Sequence, residues 1–531
     1  MRSVRVLRNV VTNYLRFFLS GLVAFLLTPI LVHLLGDGDY GLWVTVFSLT
    51  GYFGLFDQGI RPSLVRYVSR DHARGDHEGI ARTLSSALGL NGALGVLIVL
   101  LTLVAAATFT RFLKIEPAQV ESARTIILIA GASLALGFPL GVFGAALSGL
   151  QRYDIANAIG IGIALVRAFA FVGVLRAGGG LVGLAWASLA MNLLGHFLSW
   201  VFVRRLLPQV RLGAALVTRT HLALIGSYSG FAFLGALANS IALQTDALVI
   251  AGFLGAAYVT PFAIAAGLVD NVRSLVFSAT WVLSPTASEL ETHAEVDKLH
   301  AMVIAGAKYS VLVSWPVLWA IIVFGPNLLT AWVGARFVEP GPGFGPALMP
   351  PWDGHRWAST STLITLLAVP TLVSLPQSAA VAVLFGVSRH KGVVGLSLLS
   401  ALINLVLSLL WVKPLKLMGV ALGTAVPLAL VSGVLVAVYT CRTLELPLAR
   451  YLREGMLRPG LVSLAFLAPA LAVQALWRPA GWWALGAAVG GCWVVFVVVA
   501  WRWGADAAER QRWGAMVPGL FRPRAPAGVG R

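Results

Sequence analysis

Single charged side chains lie inside apolar stretches of this chain that are long enough to cross a lipid bilayer. These residues are Arg16, Asp57, Arg167, Asp246, Asp270 and Arg273. A charge at the centre of a bilayer costs roughly 3 kcal/mol on insertion scales, so such residues normally face a protein interior or a wet cavity. The pattern therefore predicts a polar pathway through the middle of a membrane-embedded bundle.

The composition predicts an all-α polytopic membrane protein. Of 531 residues, 58% are hydrophobic and 11% are charged, whereas a soluble domain carries about 25% charged residues. Apolar runs close to the roughly 20 residues of a membrane-spanning helix recur along the chain, and no polar block between them is long enough for a soluble catalytic domain. We expect fourteen transmembrane helices, centred near Ala24, Ser48, Val96, Leu136, Ile163, Leu193, Leu237, Gly267, Leu318, Val373, Leu402, Leu428, Leu467 and Val494.

The basic residues predict the orientation of these helices. Loops on one side carry 26 Lys and Arg residues and loops on the other side carry nine, which by the positive-inside rule places both termini in the cytoplasm and gives an even number of spans. The net charge of +18 thus reflects topology and attraction to anionic lipids rather than nucleic-acid binding. The first apolar stretch is too long for a cleavable signal peptide, so we expect it to remain as a span. Two isolated cysteines predict neither a disulfide nor a metal centre, and no cofactor is expected.

An internal repeat predicts two lobes. Segment 148–153 (SGLQRY) matches 385–390 (FGVSRH) at an offset of 237, and 181–188 matches 417–424 at an offset of 236. Six spans per copy give parallel repeats, which place a substrate site between two lobes. The predicted domains are a six-helix lobe over 1–203, a second over 204–440, and two extra helices with a basic cytoplasmic tail over 441–531. Chance similarity between apolar segments is the alternative.

Polar side chains fall on matching helices of the two copies. Because residues three, four or seven apart share a helical face, these groups are expected to line a common lumen. We interpret one set as substrate-binding: Arg16, Arg61, Arg167, Arg273, Asn13 and Asn239. The acids are candidates for coupling transport to a proton or sodium gradient: Asp57, Asp246 and Asp270.

Each charge also has a structural interpretation. Asp57 with Arg61, and Asp270 with Arg273, are spaced as intrahelical ion pairs that would only stabilise the bundle. Arg61 can also extend to the cytoplasmic surface. Asp246 either couples an ion or pairs with an arginine across the lumen. In contrast, the two remaining arginines, at positions 16 and 167, have no acid within a helical turn.

Several motifs resemble the N-terminal signature of the Wzx-type lipopolysaccharide and polysaccharide flippases. This family belongs to a superfamily that includes the lipid II flippases and the multidrug and toxin extruders. The resemblance covers residues 8–440. Its motifs are 35–43 (LGDGDYGLW), 51–59 (GYFGLFDQG), Ser63 with 66–67 (RY), and 149–153 (GLQRY) followed by Asn157.

The resemblance implies two six-helix lobes that form a V and work by alternating access. A cationic cavity between them would move an undecaprenyl-diphosphate-linked oligosaccharide, such as an O-antigen unit, from the cytoplasmic to the periplasmic leaflet. The partners implied are that glycolipid, membrane lipids and other polysaccharide assembly proteins. In related lipid II flippases two extra spans hold the lipid tail, and the last two spans here match them in position.

Two features depart from this family pattern. Four lumenal arginines against three aspartates leave an excess of one positive charge, which is low for a diphosphate site. The proline-rich external loop 334–358 is either a lid or an insertion.

A multidrug or cation antiporter of the same fold is one alternative function, which the lone arginines disfavour because they would repel cationic drugs. A membrane glycan polymerase or ligase is the other, but no set of base, acid and oxyanion donors is visible, so a non-enzyme is expected.

Overall fold

The computed structural model describes residues 2–57, 60–227, 230–339, 359–504 and 509–510, and this part of the chain contains helices and no β-strand. The all-α prediction is confirmed. The first ten helices are α1 (Arg2–Gly51), α2 (Ile60–Ala73), α3 (His77–Phe112), α4 (Val120–Gly149), α5 (Tyr153–Arg176), α6 (Gly180–Leu206), α7 (Arg219–Ser227), α8 (Gly230–Phe253), α9 (Val259–Thr280) and α10 (Leu283–Thr292). The remaining helices are α11 (Val296–Val323), α12 (Gly325–Trp332), α13 (Thr360–Ser374), α14 (Gln377–Gly386), α15 (Lys391–Pro427), α16 (Val436–Thr443), α17 (Leu448–Arg450), α18 (Arg458–Leu476) and α19 (Gly481–Val499).

In the described part of the chain, eleven helical runs are long and apolar enough to cross a membrane. A twelfth is counted if α13 and α14, which meet at an angle of 47°, form one broken span. Segments 428–435, 451–457 and 500–504 are π-helical and extend the neighbouring α-helices. Apolar helices with internally paired backbone groups are the form in which a chain of this composition can enter a bilayer.

Two of the longest helices each contain a break. In α1 the backbone of Gly36 is non-helical (φ 77°, ψ 172°), a conformation that glycine adopts without steric cost. In α15 the backbone of Lys416 is non-helical (φ 53°, ψ −131°), two residues after Pro414, which cannot donate a helical hydrogen bond. Each of these helices is therefore two straight segments joined at a sharp turn.

One compact unit comprises Met1–Asn271, Trp332–Leu367 and Lys391–Ser432. Within it α3 and α4 lie unusually close, because glycines remove the side chains between them. A Cβ atom built on Gly95 would lie 2.6 Å from the Ala135 carbonyl oxygen, which is far inside van der Waals contact. Small residues permit this close approach between membrane helices, where dispersion contacts rather than hydrophobic burial drive association.

The second compact unit comprises Val272–Ala331, Ala368–His390 and Gly433–Arg531. Its core lies between α11, α18 and α19, where Phe324, Phe466 and Phe496 are buried. Tyr451 is fully buried and its hydroxyl donates to Gln377 Oε1 at 2.7 Å, so its polar tip is paired.

Candidate functional site

Arg16 has a neutral amide side chain as its hydrogen-bond partner. Its Nη1 donates a long hydrogen bond of 3.5 Å to Oδ1 of Asn157, near the start of α5. Asn157 is 3% exposed and is itself oriented, because its Nδ2 donates to Asn13 Oδ1 at 2.7 Å and to Thr12 Oγ1 at 3.1 Å. The network joins α1 to α5 and leaves the Arg16 side chain largely exposed. Its charge is available to a ligand.

A second cationic group lies near Arg16. The guanidinium of Arg61, at the start of α2, is exposed and acts electrostatically on both Arg16 and the ring of His196 on α6. A Cβ atom built on Gly160 of α5 would lie 2.8 Å from Arg16 Nε, so the guanidinium rests directly on this glycine. The cationic cluster thus consists of two arginines on α1 and α2, with Gly160 of α5 and the neutral His196 ring of α6 beside them.

Arg167 forms a second arginine site within the same compact unit. Its Nη2 donates to Asn192 Oδ1 on α6 at 2.6 Å, and Asn192 Nδ2 donates to Ser133 Oγ on α4 at 2.9 Å. The Arg167 Nε atom is buried and has no hydrogen-bond partner among the described residues. Within the described ranges, neither this arginine nor Arg16 forms an ion pair.

Asp246 lies in a separate buried cluster between α8 and α15. It is 5% exposed, and its Oδ2 accepts a hydrogen bond of 2.6 Å from Thr424 Oγ1. The same hydroxyl accepts from Asn404 Nδ2 at 2.8 Å. Asn404 and Ser408 also lie close enough to interact with the Asp246 carboxylate, although three buried oxygens in the described part of the chain have no hydrogen bond of good geometry: Asp246 Oδ1, Asn404 Oδ1 and Ser408 Oγ.

These unpartnered oxygens are suited to a hard cation. Carboxylate, amide and hydroxyl oxygens are the donors that such ions prefer, and a buried carboxylate is costly unless it is paired, neutralised or bound to a metal. Asp246, Asn404 and Ser408 are therefore residues that can hold a cation such as Na⁺ or that can share a proton. No group of three His, Cys, Asp or Glu residues among those described is arranged to bind a metal ion.

The remaining predicted site residues are more dispersed. Asn239 is exposed on α8, and Asp270 of α9 acts electrostatically on Asp246. Arg273 is half-buried and belongs to the second compact unit. The side chain of Asp57 and loop residues 340–358, which carry most of the proline-rich loop, lie outside the described residues.

Sequence reasoning missed the neutral partners. Asn192, Asn404, Ser408 and Thr424 complete the arginine and aspartate sites, and His196 lies beside the cationic cluster. The signal that would have found the first two is a lone asparagine inside an apolar span, because an amide there needs a hydrogen-bond partner as surely as a charge needs a counter-group. Serine and threonine carry no such signal, since they satisfy themselves on their own helix backbone.

Comparison with known sequences identifies a match over residues 6–291, to the family described as polysaccharide biosynthesis protein. EpsK of Bacillus subtilis strain 168, described as an uncharacterized membrane protein, is 24% identical over 414 residues. That alignment covers 74% of this chain and 79% of EpsK.

Comparison with solved structures identifies the fold. An inward-facing multidrug resistance transporter of the MATE family, in the MOP superfamily, superposes with a TM-score of 0.66 at 15% identity, covering 82% of this chain and 95% of that one. The lipid II flippase MurJ in an inward closed conformation superposes with a TM-score of 0.65 at 12% identity, covering 93% of this chain and 98% of that one. At these identities the likeness shows a shared transporter fold.

Proposed function

The chain belongs to the polysaccharide biosynthesis protein family, as its N-terminal motifs predicted, and we propose that it is a flippase for an undecaprenyl-diphosphate-linked oligosaccharide. It takes this glycolipid from the cytoplasmic leaflet and delivers it to the periplasmic leaflet by alternating access. The observation that carries the proposal is the pair of arginines, Arg16 and Arg167, held inside the helical bundle by asparagines rather than by carboxylates.

The chemistry of a diphosphate matches these arginines. A guanidinium makes two parallel charge-assisted hydrogen bonds to phosphate oxygens, and a neutral amide partner leaves its charge uncompensated. A lipid-facing arginine would be costly, so we place Arg16 and Arg61 on a water-filled lumen. The full set of proposed substrate contacts is Arg16, Arg61, Arg167, Arg273, Asn13 and Asn239.

We assign ion coupling to the cluster around Asp246. Its unpartnered oxygens support the binding of a Na⁺ ion. This ion would neutralise the carboxylate when it enters the site down the Na⁺ gradient. A proton on the carboxylate is the alternative driver. Asp57 and Asp270 remain coupling candidates, and the electrostatic action of Asp270 on Asp246 supports its inclusion.

A multidrug antiporter is the second candidate, since a MATE transporter shares the fold. Such a protein needs an acid that meets a cationic drug. Asp246 is 5% exposed and hydrogen-bonded to Thr424, whereas the exposed intramembrane groups on α1 and α2 include Arg16 and Arg61. These cations would repel a cationic drug, so the geometry favours an anionic substrate.

We further propose fourteen spans in two six-helix lobes, 1–203 and 204–440, followed by two helices and a tail over 441–531. Dividing α1 at Gly36 and α15 at Lys416 turns the twelve runs into fourteen. Matching turns support the repeat: Arg152 N donates to Leu147 O at 2.9 Å, and Arg389 N donates to Leu384 O at the same distance.

A second pair of turns supports an insertion in the later copy. Asp76 N donates to Asp71 O, and Glu295 N donates to Leu290 O. These two turns are 219 residues apart in the sequence, whereas the turns of the first pair are 237 residues apart. The second copy is therefore 18 residues longer between these turns, in the interval that contains the proline-rich loop. This favours an insertion as the origin of the loop.

We place the protein in the bacterial inner membrane with both termini in the cytoplasm, beside other polysaccharide assembly proteins.

A deletion strain tests the function. Loss of the gene should cause a lipid-linked oligosaccharide to accumulate on the cytoplasmic leaflet, with loss of the matching surface polysaccharide, and plasmid-borne wild type should reverse both. An unchanged leaflet distribution together with new sensitivity to cationic drugs would instead identify the antiporter.

A further inference from the structure

The two arginine sites lie on one stripe of α5. Arg16 rests against Gly160, and Arg167 follows Gly160 by seven residues. Seven residues are almost two turns of an α-helix, so position 167 is rotated only about 20° from position 160 and lies about 10 Å further along the axis. Position 160, where Arg16 rests, and position 167 therefore lie on the same face of α5.

Along this stripe of α5 the residue between the two positions is apolar. Ala164 lies one turn beyond Gly160 and presents only a methyl group. A diphosphate on this stripe would have one arginine partner near each end and no polar α5 side chain at the position between them. Such spacing favours movement between two positions over tight capture at one.

The two sites also differ in what surrounds them. Arg16 is exposed and lies in the field of Arg61, so it is the more accessible and more strongly cationic position. Arg167 is half-buried, is oriented by Asn192, and keeps an unpartnered Nε donor. An anion that reached Arg167 would satisfy that donor, which otherwise remains an uncompensated buried N–H.

We infer that Arg16 and Arg167 are two successive stations for one diphosphate group, at positions of α5 that differ by about 10 Å along its axis. This rests on the proposed flippase function and deepens it. In the predicted topology α5 begins on the cytoplasmic side, so Arg16 is the loading station and Arg167 the station that receives the diphosphate during transfer. Both are binding residues, and they act at different steps.

The test separates binding from transfer in full-length protein. The probe is a polyprenyl-diphosphate-linked N-acetylglucosamine, used for equilibrium binding in detergent and, with a fluorescent tag, for leaflet exchange in proteoliposomes. Since a hydrogen bond to a charged group contributes about 1.5–3 kcal/mol, Arg16→Gln should weaken binding by roughly tenfold or more. Arg167→Gln should bind nearly as well as wild type and lose most of its transfer rate.

Controls keep the outcome interpretable. Arg176→Gln removes a positive charge from the same helix outside both stations and should behave as wild type. Arg167→Lys should recover part of the transfer if charge is what matters, whereas a merely structural role would leave it as impaired as the glutamine variant.

Distinct results overturn the two proposals. Equal loss of probe binding in Arg16→Gln and Arg167→Gln would mean a single site and end the two-station inference while leaving the flippase intact. Normal transfer by Arg167→Gln would do the same. Absence of both binding and transfer in the wild-type protein would refute the flippase itself.

Discussion

Arg16 illustrates how a positive charge is kept usable inside a bilayer. A carboxylate partner would stabilise it but would also cancel the charge that a phosphate needs. Asn157 provides a carbonyl oxygen instead, and two α1 side chains orient that amide. The cost of burial is reduced by polar contact while the net charge remains +1.

Replacement of Arg16 tests this at the residue scale. Arg16→Ala should abolish polysaccharide export at normal membrane levels of the protein, and Arg16→Lys should restore only part of it, because an ammonium cannot make the planar two-bond contact. Export is measured as surface polysaccharide in the complemented deletion strain. Arg111→Ala, at the C-terminal end of α3, is the matched control, and full export by Arg16→Ala would make Arg16 a structural residue.

Asp246 gives the second residue-scale prediction. Asp246→Asn should keep substrate binding and stop transport, because an amide cannot supply the negative charge that binds Na⁺ or a proton. Thr424→Val should weaken the apparent affinity of transport for Na⁺ by roughly tenfold. This is the effect of losing a hydrogen bond that contributes about 1.4 kcal/mol. The measurement is transport in proteoliposomes at a series of Na⁺ gradients and at a series of pH gradients, with Asp297→Asn on the exposed start of α11 as control.

The contrary outcome for Asp246 is a stability defect. If this acid instead neutralises an arginine, Asp246→Asn would be poorly expressed. Breaking a buried ion pair costs about 3–5 kcal/mol of stability, and water in the cavity would reduce this cost. Restoration of its expression by a second, charge-removing change at Arg16, Arg167 or Arg273 would reject the coupling role.

At the scale of helices, glycine positions decide how closely neighbours pack. Gly95 and Gly92 are three residues apart on α3, yet a methyl group at Gly95 would collide with the Ala135 backbone, and one at Gly92 would meet nothing within 4 Å. The same substitution at these two positions therefore isolates helix packing from helix propensity.

Gly95→Ala should lower the thermal unfolding midpoint of the detergent-purified protein, because overpacking costs about 1–3 kcal/mol. Gly92→Ala should be neutral or stabilising by up to about 1 kcal/mol, since alanine is the better helix former. Equal effects of the two changes would contradict the close α3–α4 approach. Size-exclusion profiles of both variants check that each remains folded.

At the scale of the whole molecule, contacts distant in sequence hold α1 in place. Trp332 Nε1 donates to the Phe25 carbonyl at 2.8 Å, and Arg336 pairs with Asp37 at 3.0 Å. The hydroxyl of Tyr52 is hydrogen-bonded to Thr245, the neighbour of Asp246 in sequence. Helix α1 and the turn after it therefore contact Trp332, the start of the proline-rich loop at Arg336, and α8, the helix that carries the proposed coupling acid.

Topology is the prediction that belongs to this scale. A reporter active only in the periplasm should give signal when fused after Gly178 or inserted at Gly343, and none after Arg211 or Arg524, because basic loops stay in the cytoplasm. A cytoplasmic reporter at the same four positions should give the reverse pattern and serves as the control. Periplasmic activity at Arg524 would rule out an even number of spans.

Much of the fold was predictable from local patterns, and the same patterns supplied the candidates for the site. The helical class and the apolar runs follow from hydropathy, and Arg16, Arg167 and Asp246 were found because a charge in an apolar run is conspicuous. Which side chain is the partner of each charged residue was not predictable from the sequence. Asp246 was expected to share a lumen with arginines, and the structure gives its carboxylate Thr424 as hydrogen-bond partner.

The sequence by itself determined that this chain is a bundle of membrane helices with charges at depth, because run length and hydropathy are properties of consecutive residues. Only the tertiary structure decided which helix faces meet. Arg16 and Asn157 are 141 residues apart, and Asp246 and Thr424 are 178 residues apart. The choice of partner depends on how helices pack and on where glycines let backbones approach, and neither is encoded in the spacing of residues along one helix.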